Sequence, residues 1–439
     1  MVQPIDLLIR PHWVIPIEPA GVVLGDHAVA IHDGCILAVL PAREAAQRFE
    51  PARSVELAGH VLLPGLVNLH THAAMTLLRG YADDLPLMSW LKSRIWPAEA
   101  RHASPAFVHD GTLLACAEML RGGVTCFNDM YFFPEAAARA ALELGMRAAI
   151  GIIAVEFPSA YATDADDYLS KGLATRDEFR GEPLLSFCMA PHAPYTVADR
   201  TLTRIATFAD QLGLPIHIHV HETAAEMEES LKLHHARPVA RLERLGLLDS
   251  RLIAVHGIHL DATEIAQFAQ RGCHLAHCPT SNLKLASGFA PIAAALEAGV
   301  SVGLGTDGAA SNNRLDMFRE MRHAALIGKA VSGDASALDC HRVLRMATLE
   351  GAAALGLDDR IGSIVPGKAA DLCAVDLGSP DLSPCYDPAS HLVYVAGREH
   401  VTHVWVGGEA RVEQGTVLRI SNGDLLRVAE IWHNALGES

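Results

Sequence analysis

No two of the nine cysteines are spaced C-x-x-C, so the 439-residue chain offers neither a zinc ribbon nor a thioredoxin-type dithiol. The cysteines are odd in number and scattered among apolar neighbours, as at Cys116 and Cys188, which fits reduced thiols and a cytoplasmic protein. There is no uninterrupted apolar run of about 18 residues, the length a membrane-spanning helix needs. The first residues lack the basic stretch, apolar core and small-residue cleavage site of a secretory signal, so none is expected. Blocks of Lys and Arg are missing too. With 35 basic residues against 51 acidic ones the net charge is −16, which argues against a nucleic-acid partner and for a small-molecule ligand. No low-complexity tract or fixed-period repeat is present. What remains is ordinary globular composition, 50% hydrophobic and 20% charged, with one unusual entry, 24 histidines.

Residues 1–60 read as short strands and turns, with Asp33-Gly34 between two apolar runs as a hairpin cue. The C-terminal part repeats that texture around Asp371, Val404 and Val417. Between these ends, apolar strands are expected at 61–69, 124–127, 147–153, 184–189, 215–220, 252–255, 274–277 and 300–304. Helical text separates them, for example Pro134 to Gly145, with proline at the start and glycine past the end. Eight strand–helix alternations predict an α/β fold, a (β/α)8 TIM barrel, with a small β-sandwich built from both chain ends. The expected division is 1–60 plus 368–439 for the β-rich unit and 61–367 for the barrel. A doubly wound sheet is the competing reading. Against it, no G-x-G-x-x-G follows an early strand.

The first barrel strand ends in His70-Thr-His72. Residues two apart on a strand face the same way, so both imidazoles can reach one metal. Alone, such a pair is more often a surface or packed histidine pair. A later strand carries His217, His219 and His221, followed by Glu222. One face of a buried strand would hardly spend three polar side chains on packing. Another strand closes on His256, and a fourth ends at Asp307 in the glycine-rich turn Gly303 to Gly308. Each Asp-Gly or His-Gly by itself is ordinary turn chemistry. Together they place four polar clusters at the C-terminal ends of four barrel strands, where barrel enzymes carry their reactive groups.

Five segments carry a resemblance: Leu63 to Gly80, His219 to Thr223, Asn282 to Ala286, Gly305 to Asn313, and Pro366 to Leu372. The chain resembles the amidohydrolase superfamily along essentially its whole length. Within it, the sequence is most similar to the 5′-methylthioadenosine/S-adenosylhomocysteine deaminases, near the chlorohydrolase and guanine deaminase branches. The resemblance implies one divalent metal, usually zinc, held by His70, His72, His219 and Asp307. Three imidazoles and a carboxylate leave a position for water, as a catalytic zinc needs. The expected fourth strand contains no lysine to bridge a second ion, so one metal is expected. The resemblance also implies that Glu222 moves a proton to the substrate ring, that His256 steadies the attacking water and that Asp307 accepts its proton. A helix-start carboxylate is the plain alternative for Glu222, and a packed loop histidine for His192, which matches a substrate-contacting position. Glu99 matches a carboxylate that binds ribose hydroxyls, and Trp90, Leu85 and Met88 are candidates to wall an apolar slot. His217 and His221 are expected to support the ligands.

One position departs from the family. Ile152 stands where an arginine would bind a homocysteine carboxylate, leaving Arg176 or Arg180 to reach in from the next segment. The expected activity is hydrolytic deamination of an adenine nucleoside, as methylthioadenosine, adenosine or S-adenosylhomocysteine, in a homo-oligomer, as is common for soluble enzymes. The rival enzyme reading is a guanine or triazine-type heterocycle hydrolase. A metal-free barrel kept as an assembly scaffold would require lost ligands, and all four positions are filled. The compact zinc deaminase fold needs P-C-x-x-C, which is absent.

Overall fold

The computed structural model describes residues 2–437. Met1, Glu438 and Ser439, the outer limits of the expected β-rich unit, lie outside the described residues. Eight parallel strands follow one another around a barrel: β1 (Leu66–Thr71), β2 (Val124–Asp129), β3 (Arg147–Ala154), β4 (Leu185–Pro191), β5 (Ile216–Val220), β6 (Leu252–His256), β7 (His274–His277) and β8 (Ser301–Leu304). Most of their residues are buried, as expected of parallel strands covered by helices. The helix after β2, Pro134–Leu144, begins with proline and ends at Gly145 in the left-handed conformation, φ 65°, as its sequence reads.

β8 and β1 share no ladder, and the barrel is closed there by side chains and turns. Asn68 donates to the Thr306 hydroxyl at 2.8 Å and accepts from the Thr306 amide at 2.9 Å. The Asp307 amide donates to the His70 carbonyl at 3.0 Å. Glycine permits this approach, since a Cβ at Gly303 would lie 2.6 Å from the Leu69 side chain. The seam therefore positions Asp307 directly against the end of β1.

The chain ends form one mixed sheet in which Leu372–Asp376 lies antiparallel to Phe49–Pro64, which in turn runs parallel to Gln3–Val14. Val401–Val406 and Glu409–Glu413 extend it on one side, and His27–His32 and Cys35–Pro41 on the other. The sheet folds over its own core into a sandwich. Ile9, Ile31 and Leu62 from the N-terminal strands share a cluster with Leu372 and Trp405 from the C-terminal ones. The Asp33-Gly34 turn adopts the two positive φ values, 48° and 74°, that its sequence signals.

The expected first barrel strand, 61–69, is two elements. Residues 61–64 end the long strand of the sandwich sheet, and β1 begins at Leu66. The break is at Gly65, where a Cβ would lie 2.1 Å from the Thr125 hydroxyl. Arg147 at the start of β3 pairs with Asp371 through two contacts of 2.9 and 3.1 Å, both side chains buried, and so ties barrel to sandwich. A C-terminal helix, Asn422–Gly437, also forms, which the sequence reading did not anticipate. No helix among the described residues is long and apolar enough to cross a membrane.

Candidate active site

The C-terminal ends of the strands bring His70, His72, His219, His256 and Asp307 together. Ligand atoms of His70, His72 and His219 lie within 4.8 Å of one another, and so do those of His70, His256 and Asp307. Asp307 Oδ1 is 3.3 Å from His70 Nε2 and 3.4 Å from His72 Nε2. His70 Nε2 and His219 Nε2 are 3.2 Å apart.

The hydrogen bonds behind these rings decide which nitrogen faces inward. His72 Nδ1 donates to the Met130 carbonyl at 2.6 Å, and His219 Nδ1 to the His192 carbonyl at 2.6 Å. A carbonyl only accepts, so each Nε2 carries a bare lone pair pointing at the same centre. His70 Nδ1 lies 2.9 Å from His217 Nε2. Burial moves the His70 pKa down to about 4 and holds His219 well below its ordinary value, which favours the neutral form of both these rings. Several inward lone pairs crowded beside a carboxylate repel one another unless a cation lies between them. The donor set thus fits a divalent metal.

Asp307 has φ 61°, and its Oδ2 accepts from the Ser281 hydroxyl at 2.6 Å and the Ser311 hydroxyl at 2.8 Å, while Oδ1 accepts from the Gly308 amide at 2.7 Å and faces the histidines. Burial works to raise its pKa, but the His70, His72 and His256 rings outweigh it and hold the carboxyl well below the usual range. Gly305 makes the crossing possible, because a Cβ there would lie 2.8 Å from the backbone nitrogen of His70. Gly305→Ala is expected to push His70 off its position and to cost about 1–3 kcal/mol, read as a lower Tm together with weaker metal retention.

Glu222 is buried, with Oε1 3.8 Å from His256 Nε2. It is not the cap of the following helix, Ala224–His234. That role belongs to Thr223, whose hydroxyl accepts from the Glu226 amide. Glu226 in turn accepts from the amides of His221 (3.1 Å) and Glu222 (2.8 Å), fixing the backbone that presents Glu222. Burial raises the Glu222 pKa. His256, at φ 72°, donates from Nδ1 to Asn282 Oδ1 at 2.8 Å. Non-glycine residues in left-handed backbone gather at these strand ends, as strained positions do at functional sites.

His72, His219, Glu222, His256 and Asp307 line a cavity of about 340 Å³ whose wall also includes His192, Glu99 and Trp90. Burial moves the His192 pKa down to about 3, and its Nδ1 lies 3.0 Å from the Thr196 hydroxyl. Glu99, on the helix Trp96–His102, accepts from the Tyr131 hydroxyl at 2.7 Å, and burial moves its pKa up to about 7. Trp90 donates from Nε1 to the Ala82 carbonyl at 2.9 Å. It precedes a π-helical turn, Leu91–Ile95, a distortion frequent at functional sites.

Three expectations need correction. Leu85 and Met88 do not line the cavity; Leu87 and Leu91, flanking Trp90 on the same helical segment, do. His221 is not on the ligand face. β5 ends at Val220, and at φ 59° His221 turns away, its Nδ1 3.3 Å from the His259 carbonyl and its Nε2 accepting from the Val239 amide. Neither Arg176 nor Arg180 reaches the cavity; both pair with Asp177, while Ile152 packs on Gly172 of the helix outside. Beyond those expected, Asp129 at the end of β2 accepts from the Ala73 amide at 2.7 Å and fixes the turn after His72.

The amidohydrolase family model matches residues 61–411. The chain belongs to the amidohydrolase family. This amidohydrolase is 47% identical over 433 residues to a 5-methylthioadenosine/S-adenosylhomocysteine deaminase of Teredinibacter turnerae, covering 99% of this chain and 98% of that protein. A protein of the same name from Saccharophagus degradans is 44% identical, over 98% of this chain and 96% of its own. Among solved structures, an adenosine deaminase from Xanthomonas campestris with bound zinc superposes with a TM-score of 0.99 at 50% identity, covering 100% of both chains. This amidohydrolase is a metal-dependent aminohydrolase.

Proposed function

We propose that the protein removes the 6-amino group of an adenine nucleoside by hydrolysis, with zinc as its ion, in the cytoplasm and as a homo-oligomer. The observation that carries the reading is the pairing of Glu222 with His256 beside the His70, His72, His219 and Asp307 cluster, in one cavity with Glu99. The deaminase names of relatives 44–47% identical support the same substrate class.

When bound, the ion lowers the pKa of a water towards about 7. The rest falls to side chains. Glu222, whose burial favours its protonated form, donates to the ring nitrogen beside C6 and makes that carbon electrophilic. His256, held by Asn282, offers Nε2 to the attacking water, and Asp307 takes up its proton. The water oxygen bonds to C6. Asp307 then returns that proton to the leaving nitrogen while the new hydroxyl gives its own proton to the Glu222 carboxylate, and the C6–N bond breaks to give ammonia and a 6-oxo purine that keeps the proton on its ring nitrogen. The two acids have their pKa values displaced in opposite directions, the pattern expected of an acid and base pair. His192 and Trp90 hold the substrate against this face.

Glu99 would accept from the ribose hydroxyls. Glu99→Ala is expected to raise the nucleoside KM by about tenfold or more, the worth of a hydrogen bond to a charged group. The affinity for free adenine should change far less; equal losses on both would remove the ribose assignment. Because burial holds this carboxyl up to about 7, the nucleoside KM should fall as pH rises through that value, and Glu99→Gln should abolish the step. The function itself is tested by ammonia release from adenosine, methylthioadenosine, S-adenosylhomocysteine and guanine by zinc-loaded protein, and turnover of guanine alone would favour the heterocycle hydrolases.

A further inference from the structure

We infer that Glu320 is a positioning residue that aims the Asp307 carboxylate at the histidine cluster, by tying together the two segments whose serines hold it. The inference rests on the deaminase reading above for what Asp307 does with a proton. It goes further by naming a residue outside the cavity on which that function depends.

Glu320 lies on the helix Met317–Ser332, which follows β8, and is fully buried. A carboxyl there loses its water, and burial pushes its pKa up to about 7 against the pull of the bonds from Thr280 and Asn312. Capping its own helix is not its task. Asp316 does that, accepting from the Phe318 and Arg319 amides at 3.1 and 3.3 Å. The bonds of Glu320 run sideways instead, to two other segments. Oε2 accepts from the Thr280 amide at 3.1 Å, and Oε1 from Asn312 Nδ2 at 2.8 Å.

Both partners sit beside a residue that touches Asp307. Thr280 precedes Ser281 on the helix Pro279–Lys284 after β7, and Asn312 follows Ser311 on the short helix Ala309–Asn312 after β8. The two serines meet at Asp307 Oδ2. A closed ring therefore runs from Glu320 through Thr280 and Ser281 to Asp307, and back through Ser311 and Asn312. Each serine is fixed from behind as well as in front, whereas without Glu320 its segment would be free to swing. Asn312 gives a further bond to the Thr306 carbonyl at 2.6 Å, which draws the residue before Asp307 into the ring. Thr280 is held on its other side too, its hydroxyl 2.8 Å from Nδ1 of His323, one turn along from Glu320.

The test compares zinc-loaded wild type with Glu320→Gln and Asn312→Ala, and also places Glu320→Gln in a Ser281→Ala, Ser311→Ala background. Glutamine keeps the shape and one accepting oxygen, but its NH2 group faces a second donor, so one of the two ties is lost. On the nucleoside that wild type turns over fastest, kcat should fall by about tenfold to a hundredfold with KM changed less than about threefold. Bound zinc should pass to excess chelator at least about threefold faster. Asn312→Ala cuts the ring at its other side and should give losses of the same order; it carries the same comparisons if Glu320→Gln does not fold. In the double-serine background, Glu320→Gln should lower kcat by less than about a further threefold, because the path it acts through is already cut. A carboxyl that only stabilised the barrel would lower Tm and nothing else. Wild-type kcat and zinc release in both single variants, or a full additional loss in the serine background, overturns the inference and leaves the deaminase reading intact. Ammonia from no nucleoside overturns that reading, and zinc release then decides the inference by itself.

Discussion

Glu222→Gln is expected to keep its metal and its fold while kcat on the preferred nucleoside falls by about a thousandfold, within the range that a positioned proton donor contributes. The amide is close in size to the carboxyl, so the cavity keeps its shape. Its position is set by the two amide bonds to Glu226, which the substitution does not touch. What is lost is the proton. Neither NH2 hydrogen of a glutamine can be passed to the ring nitrogen, and C6 stays too electron-rich for water to attack. KM should change by less than about threefold, since the loss falls on the transition state rather than on binding. Metal content measured on the same preparation separates this from ligand loss, and a variant with one ion per chain and near-normal kcat would take Glu222 out of the reaction.

The residues around the metal site were legible because each lies at or just past the end of a strand. His70, His72, His219, His256 and Asp307 stand out as polar side chains at the ends of apolar runs, and the barrel rule gathers such ends on one face. The residues that hold them were not legible, because their contacts join segments far apart in sequence. Asn68 meets Thr306 across 238 positions, and Ser281 and Ser311 reach Asp307 from two different helices. Tyr131 looks like one of several aromatics until Glu99 is found beneath its hydroxyl. Glu226 did leave a trace, since Thr223 followed by Glu three residues on is a capping signature. His221 misled for a local reason: period-two alternation fails one residue past the end of a strand. In the fold, the apolar run over 61–69 concealed a change of sheet, because only the neighbouring Thr125 makes Gly65 obligatory.

Asp307→Ala is expected to abolish measurable turnover, a loss of at least about a thousandfold, and to release most of the bound metal. Its carboxylate supplies the only negative charge among the four ligand positions, and Oδ1 is the atom shared between His70 and His72. Without it, three neutral imidazoles face a divalent ion alone. Asp307→Asn divides the two duties, because an amide oxygen can still lie toward the cluster but cannot accept the proton of the attacking water. That variant should hold more metal than Asp307→Ala and be nearly as inactive. Ser281→Ala combined with Ser311→Ala supplies the third arm: both hydroxyls that fix Oδ2 are removed while the carboxylate stays, so metal should be retained and kcat lowered by about tenfold to a hundredfold, the scale of lost support behind a ligand. Metal analysis and kcat on the three proteins therefore order ligation, proton acceptance and orientation. Full metal content with wild-type turnover in Asp307→Ala would remove the carboxylate from both roles.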